Sequence, residues 1–161
     1  MSLLLQGYLV KILIFAKYEK FLLVIDKFTI KNTYLMITTD LLIIGAGPTG
    51  LFAVFEAGLL KLKCHLIDAL PQPGGQLTEL YPKKPIFDIP GYPSVLAGEL
   101  VDNLMEQIKQ FQPGFTLGET AVTLNKLEDG TFEVITNKGT VHHAKAIAIA
   151  GGLGTFEPRK P

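Results

Sequence analysis

The stretch LLIIGAGPTG, residues 41–50, decides most of what this chain can fold into. LLII is a short run without a polar residue, the form of a strand buried on both faces of a parallel sheet. GAGPTG follows at once, and LFAVFEAGLL then repeats Leu51, Val54, Phe55 and Gly58 at helical spacing. Pro48 suits the first turn of that helix, where its missing N–H costs nothing. A second strand, KCHLID at 63–68, ends in Asp68, 18 residues after Gly50 (68 − 50). Strand, glycine turn, helix, strand and acid in this order are the fingerprint of a dinucleotide-binding α/β unit. Gly45 permits the tight turn, Gly47 lets the backbone approach a pyrophosphate, and Gly50 lets helix and strand pack closely. The helix N-terminus, with Pro48 and Thr49 in its first turn, offers unpaired N–H groups and a positive dipole end to phosphates. Asp68 is set to accept hydrogen bonds from ribose hydroxyls, and its charge disfavours the 2′-phosphate of NADP.

The remainder of the chain departs from simple β-α-β alternation. Residues 69–93 are rich in Pro and Gly (PQPGGQ, YPKKP, IPGYP) and read as a structured loop with little regular ladder. Residues 98–111 form an amphipathic helix pattern, with Leu100, Val101, Leu104, Ile108 and Phe111 on one face. Glu99, Asp102, Glu106 and Lys109 line the other. Two strand-like runs, ETAVTLNKLE and TFEVITNK, are joined by Asp129-Gly130, a type I′ hairpin signal. Gly139 turns the chain into VHHAKAIAIAGG, whose end reads as another buried strand closing on glycines. The expected fold is therefore α/β: a Rossmann-like parallel sheet joined to an antiparallel β meander.

Composition narrows the function classes. Fifteen basic and fifteen acidic residues cancel in 161, and no basic run marks a nucleic-acid surface. The apolar bursts of residues 1–35 are broken by Lys11, Lys17, Glu19, Lys20, Asp26 and Lys27, short of the ~20 apolar residues of a spanning helix. No positive charge precedes the first burst, which fits a signal peptide poorly. Residues 1–35 carry no recognisable site; they read either as an extension upstream of a domain spanning 36–161 or as an extra hairpin on its edge. A single cysteine, Cys64, excludes an internal disulfide or a CxxC pair within these residues and suits a reducing cytoplasm.

A stand-alone NAD domain would continue its alternation, whereas here a meander intrudes before a strand ending AIAIAGG. That layout matches flavoproteins with two nucleotide sites. IDALPQPGGQLTELYPKKPIFDIPGYP and IAIAGGLGTFEPRK resemble, nearly throughout, two long motifs of the ferredoxin–NADP reductases of the thioredoxin-reductase-like type. The resemblance runs from about 38 to 161. It implies that Asp68 binds the FAD ribose, that Gln76 and Tyr81 contact the flavin cofactor, that Val122 meets the adenine side with its backbone, and that Phe156 belongs to the same site. Local chemistry agrees: Gln76 offers an amide donor and acceptor, and Tyr81 a ring face with a hydroxyl. Pro73, the Pro of DIPGYP and the AGG stop depart from the family pattern without removing an assigned side chain. The resemblance further implies an enzyme about twice this length. Its NADPH domain would begin beyond Pro161, its FAD segment would return after that, ferredoxin or flavodoxin would be its partner, and it would commonly be a homodimer.

No second GxGxxG occurs in the 161 residues, so the hydride donor's site is not among them. No acid, base, nucleophile or metal site is assigned, because the cofactor performs the redox chemistry. His65 reads as a packed or edge residue. His142 and His143, adjacent in a strand, face opposite sides and cannot chelate one metal; they read as surface residues. Cys64 likewise faces away from His65. Lys83, Lys84, Arg159 and Lys160 read as a solvated face, with docking of an acidic ferredoxin as the alternative. Three other functions compete with the reductase: a thioredoxin-reductase-like disulfide reductase, a truncated product that binds FAD weakly or not at all, and an NAD-only module.

Overall fold

A computed structural model describes residues 36–152. Eight strands and three helices follow in order. They are β1 (Ile37–Ile44), α1 (Pro48–Leu59), β2 (Cys64–Asp68), α2 (Gln76–Glu79), β3 (Pro85–Ile86), β4 (Val95–Leu96), α3 (Ala97–Ile108), β5 (Gly114–Leu117), β6 (Ala121–Lys126), β7 (Phe132–Thr136) and β8 (Val141–Ile149), with a 3-10 turn (Lys109–Phe111) closing α3. Six strands make one sheet in the order β5-β2-β1-β8-β7-β6. The β5, β2, β1 and β8 neighbours run parallel, and β8, β7 and β6 run antiparallel. The α/β fold with a parallel sheet and a meander is thus present.

The two halves share a strand. β8 pairs with β7 over Val141–Ala144 and with β1 from His142 to Ile149, so the meander and the last parallel strand are one continuous element. Beyond Ala144, among the described residues, only β1 flanks it, and Ile149 is 78% exposed rather than buried as its apolar run suggests. β5 has no counterpart in the sequence reading. Its four residues, GFTL, are too few to display a period, yet they pair with β2 from His65↔Gly114 to Asp68↔Leu117. The loop after β2 is mostly irregular, as expected, apart from the single turn of α2 and the two-residue ladder β3–β4.

The Asp129-Gly130 connection is not type I′. That turn needs positive φ at both central residues, and only Gly130 has it, at +85°. Gly130 N–H donates to the Leu127 carbonyl at 3.0 Å, giving a turn closed by a left-handed glycine. One carboxylate oxygen of Asp129 accepts from both the N–H and the hydroxyl of Thr131. This side-chain turn holds Asp129 out of the left-handed region.

α1 and α3 cover one face of the sheet. Ile43, Leu51, Val54, Leu66, Val101 and Ile108 form the shared core, each contributing about 1.5–3 kcal/mol by burial. Leu42, Ile67, Val134 and Ala144 form a smaller cluster. Gly58 sets the approach of α1 to the end of α3, because a methyl there would overlap the Phe111 ring. Gly58→Ala should lower stability by about 1–3 kcal/mol. Urea unfolding of a Gly58→Ala/Phe111→Ala cycle checks the cause: a coupling near zero would mean the ring is not what the methyl strikes. Among the described residues no helix is long and apolar enough to cross a membrane.

Candidate functional site

The site is built where the parallel strands end. β1 stops at Ile44, and Gly45 turns the chain with φ +110°, its N–H donating to the Ile67 carbonyl at 2.8 Å. Any side chain at Gly45 would run into the Ala150 carbonyl beyond β8, and one at Gly50 would run into the Gly45 carbonyl. Gly45 and Gly50 therefore serve close packing. Gly47 differs: a Cβ there would meet nothing within 4 Å. It is the N-cap of α1, makes no side-chain cap bond, and is followed by Pro48 at the helix start with no acid in the first turn. Thr49 is exposed and Pro48 partly so. Bare backbone beside a helix N-terminus, with no side chain over it, is the form an anion-binding loop takes.

Asp68 closes the site from β2. One carboxylate oxygen accepts the Ala46 N–H at 2.6 Å, and the other accepts the Leu70 N–H at 2.8 Å. The carboxylate thus pins the glycine loop to the loop after β2, and each oxygen keeps lone-pair capacity for a further donor. The sequence marks Asp68 as a ligand residue but carries no sign of this second task, because its partners are backbone N–H groups of unremarkable residues.

The PQPGGQ loop docks on the same turn. Gly74 N–H donates to the Ala46 carbonyl at 2.8 Å, and a Cβ at Gly75 (φ +58°) would lie 3.3 Å from Gly47 Cα. The paired glycines let two loops touch backbone to backbone. Gln76 then opens α2, and the Tyr81 hydroxyl reaches its Oε1 at 3.4 Å, so both half-buried side chains share one rim of the site. Lys84 Nζ stands 5.2 Å from the centre of the Tyr81 ring. Leu70, Gly118 and Glu119 were not among the expected residues. Gly118 N–H donates to the Leu70 carbonyl at 2.9 Å, and Glu119 N–H to that of Asp68 at 3.1 Å, tying the end of β5 to the acid.

Val122 occupies a β-bulge. Ala121 pairs with Thr136 and Thr123 with Ile135, which leaves Val122 outside the β6–β7 register and 60% exposed. A bulge frees a residue's backbone groups from the ladder, and such a residue is suited to a backbone contact. Phe156, Arg159 and Lys160 lie outside the described residues, as do residues 1–35. Lys83 and Lys84 are exposed.

One expectation is corrected. His142 is not a surface residue: it is 0% exposed, and its Nε2 lies 2.9 Å from the Thr116 hydroxyl. The cause is β5, which places Thr116 between His142 and His65. His65 is packed as expected, with its Nε2 2.8 Å from the same hydroxyl. Burial, reinforced by the neighbouring His142, pushes the His65 pKa down to about 4. Burial also raises that of the Cys64 thiol, with Asp40 adding to the effect. Among the described residues no three His, Cys, Asp or Glu side chains gather as a metal site.

No family model matches the chain. Among curated proteins it is 84% identical over 126 residues to the ferredoxin–NADP reductase of Flavobacterium psychrophilum, covering 78% of this chain and 36% of that protein. It is 58% identical over 126 residues to that of Mesorhizobium japonicum, covering 78% and 37%. The chain spans about a third of the length of the curated relatives it matches. Among solved structures, thioredoxin reductase from Streptococcus pyogenes superposes with a TM-score of 0.60 at 27% identity, over 70% of this chain and 34% of that one. A cyclohexanone monooxygenase gives 0.62 at 24% identity, over 78% and 28%, a likeness of fold. The fold is the Rossmann-type α/β arrangement that these oxidoreductases share. Over the residues it shares with them, the chain is similar in sequence to the ferredoxin–NADP reductases and in fold to thioredoxin reductase.

Proposed function

We propose that residues 36–161 are the first FAD-binding part of a ferredoxin–NADP reductase, and that the whole protein moves electrons between NADPH and ferredoxin through FAD. One observation carries the choice of site: the GAGPTG loop is joined to the loop after β2 by Gly74 N–H on the Ala46 carbonyl and by the Asp68 carboxylate on the Ala46 and Leu70 N–H groups, around the open face of Gly47. The cradle fits a dinucleotide pyrophosphate, because N–H groups and a helix dipole face a place that no side chain fills.

FAD supplies the exchange between two-electron and one-electron carriers. This chain's residues bind and orient it. The N-terminus of α1 holds the pyrophosphate, Asp68 takes the ribose hydroxyls on its remaining lone pairs, and Val122 presents freed backbone groups to the adenine. Gln76 and Tyr81 face the flavin side, and Phe156 completes the site. Ferredoxin, or flavodoxin in its place, is the acceptor in a cytoplasmic setting, with Lys83 and Lys84 available to steer an acidic surface. With no second GxGxxG in the sequence, the chain alone is expected to show no NADPH-dependent turnover.

Titrating the purified chain separately with FAD and NADH, followed by flavin and nicotinamide fluorescence, tests the reading. FAD should bind more tightly. Tighter NADH binding would favour an NAD module, and no binding of either would favour a truncated product. For the longer protein, disulfide reduction of thioredoxin without ferredoxin turnover would overturn the choice of acceptor.

A further inference from the structure

The cluster His65–Thr116–His142 takes no part in the cradle, yet it joins two imidazoles through one hydroxyl in the interior of the fold. The Thr116 hydroxyl has a single proton but stands within hydrogen-bond reach of two imidazoles, at 2.8 Å and 2.9 Å from their Nε2 atoms. It can donate to only one, so the other ring must donate to it; because the buried Nδ1 of His142 has no acceptor for a proton, His142 donates from Nε2, Thr116 donates to His65 Nε2, and His65 carries its proton on Nδ1. The ring centres are 5.1 Å apart. His142 is wholly buried and its Nδ1 has no partner, so the ring has no good place for a second proton. His65 Nδ1 lies against Gly114, where any side chain would overlap the ring. His65 lines a cleft of about 300 Å³ with Thr38, Lys63, Cys64 and Gln112, which gives its ring access to water.

The cluster is wired to the cradle by short steps. Thr116 lies two residues before Gly118, whose N–H holds the Leu70 carbonyl, and Glu119 N–H holds the Asp68 carbonyl. Asp68 in turn holds Ala46 of the glycine loop. We propose that the His65–Thr116–His142 cluster is an acid-sensitive clasp that keeps the end of β5, and through it the Asp68 turn, in the geometry of the phosphate loop. When His65 takes its second proton, the free site is the Nε2 that accepts from Thr116, so both Nε2 atoms become donors, Thr116 must turn its own proton away, and the β5 end loosens. Among the described residues, the charged and titratable groups near the cluster are Glu119, Lys138, Lys63 and the Cys64 thiol. Glu119, whose carboxylate sits on the Thr136 hydroxyl of β7, favours the charged form of His142. Lys138 stands near Glu119, and Lys63 lines the cleft beside His65. Burial outweighs Glu119, and both rings are held neutral in the fold.

The sign follows from linkage. The unfolded chain takes protons on these rings near pH 6.5 and the folded chain takes them near 4 for His65, so stability is full above 6.5 and is lost as pH falls between these values. The bearing on cofactor retention rests on the FAD reading; the clasp itself is tested without ligand. Nitrogen-15 spectra of the chain between pH 7.5 and 4 would follow the imidazole nitrogens and the protection factors of the Gly118 and Glu119 amides. His65 should remain neutral at pH 6, and its protonation should coincide with a loss of Gly118 and Glu119 protection of about tenfold or more. Thr116→Ser should keep this behaviour and Thr116→Val should lower protection at neutral pH. A His65 that protonates at an ordinary pH near 6.5 overturns the clasp. Amides that stay protected while His65 protonates overturn the link to Asp68, whatever the chain's affinity for FAD.

Discussion

Gly50→Ala is expected to lower the stability of the ligand-free chain by about 3 kcal/mol or more and to abolish dinucleotide binding. The added methyl would overlap the Gly45 carbonyl oxygen, with the Gly45 carbonyl carbon at 3.1 Å and Ile43 Cγ2 at 3.4 Å. The first two atoms are backbone and cannot rotate aside. Relief therefore means moving α1 off β1, which opens the core around Ile43, Leu51 and Val54. Gly47→Ala is the companion experiment. With φ −72° and open space around it, alanine fits the unbound fold, and stability should change by less than about 0.5 kcal/mol. Its methyl would instead occupy the open place proposed for the pyrophosphate, so FAD affinity should fall by about tenfold or more. Urea unfolding and FAD titration of both variants separate the two tasks. If Gly47→Ala left FAD affinity unchanged, the phosphate would lie elsewhere; a stable Gly50→Ala chain would mean the helix approach is less tight than its geometry indicates.

These two glycines show why the core of this fold is readable from its sequence. A glycine is demanded where backbone meets backbone or ligand, so the string around β1 and α1 carries its structure in residue type. Leu51, Val54 and Gly58 turn inward as their spacing requires. β5 carried no such mark, since GFTL is a strand only because β2 offers it an edge. Alternation along β8 separates the side chains of His142 and His143 correctly, but whether a side is covered depends on what β5 and β7 bring to it. Asp-Gly admits more than one turn, and the choice at Asp129 was made by its carboxylate on Thr131. The bulge at Val122 is likewise a property of pairing with β7 rather than of ALTERNATING residues along β6.

Asp68→Ala is expected to act twice, which separates the loop bonds that the structure gives the acid from the ribose contact proposed for it. In the unbound chain it strips acceptors from the Ala46 and Leu70 N–H groups, at 2.6 Å and 2.8 Å. Hydrogen bonds to a charged group contribute about 1.5–3 kcal/mol each, and part of this is recovered because water reaches the half-buried carboxylate; the expected loss is about 2–4 kcal/mol. FAD binding should weaken by a further ~1–3 kcal/mol through the ribose hydroxyls and the released glycine loop. Asp68→Asn separates the contributions. Its carbonyl oxygen still accepts one of the two N–H groups, while its NH₂ is set against the other, so its loss of stability should lie between wild type and Asp68→Ala. Unfolding in urea and FAD titration on the three chains give the answer. A ribose ligand alone would leave ligand-free stability unchanged in Asp68→Ala, and a purely structural acid would leave FAD affinity unchanged once the folded fraction is accounted for. Loss of both, graded through Asp68→Asn, is the result that a carboxylate joining two loops and a sugar must give.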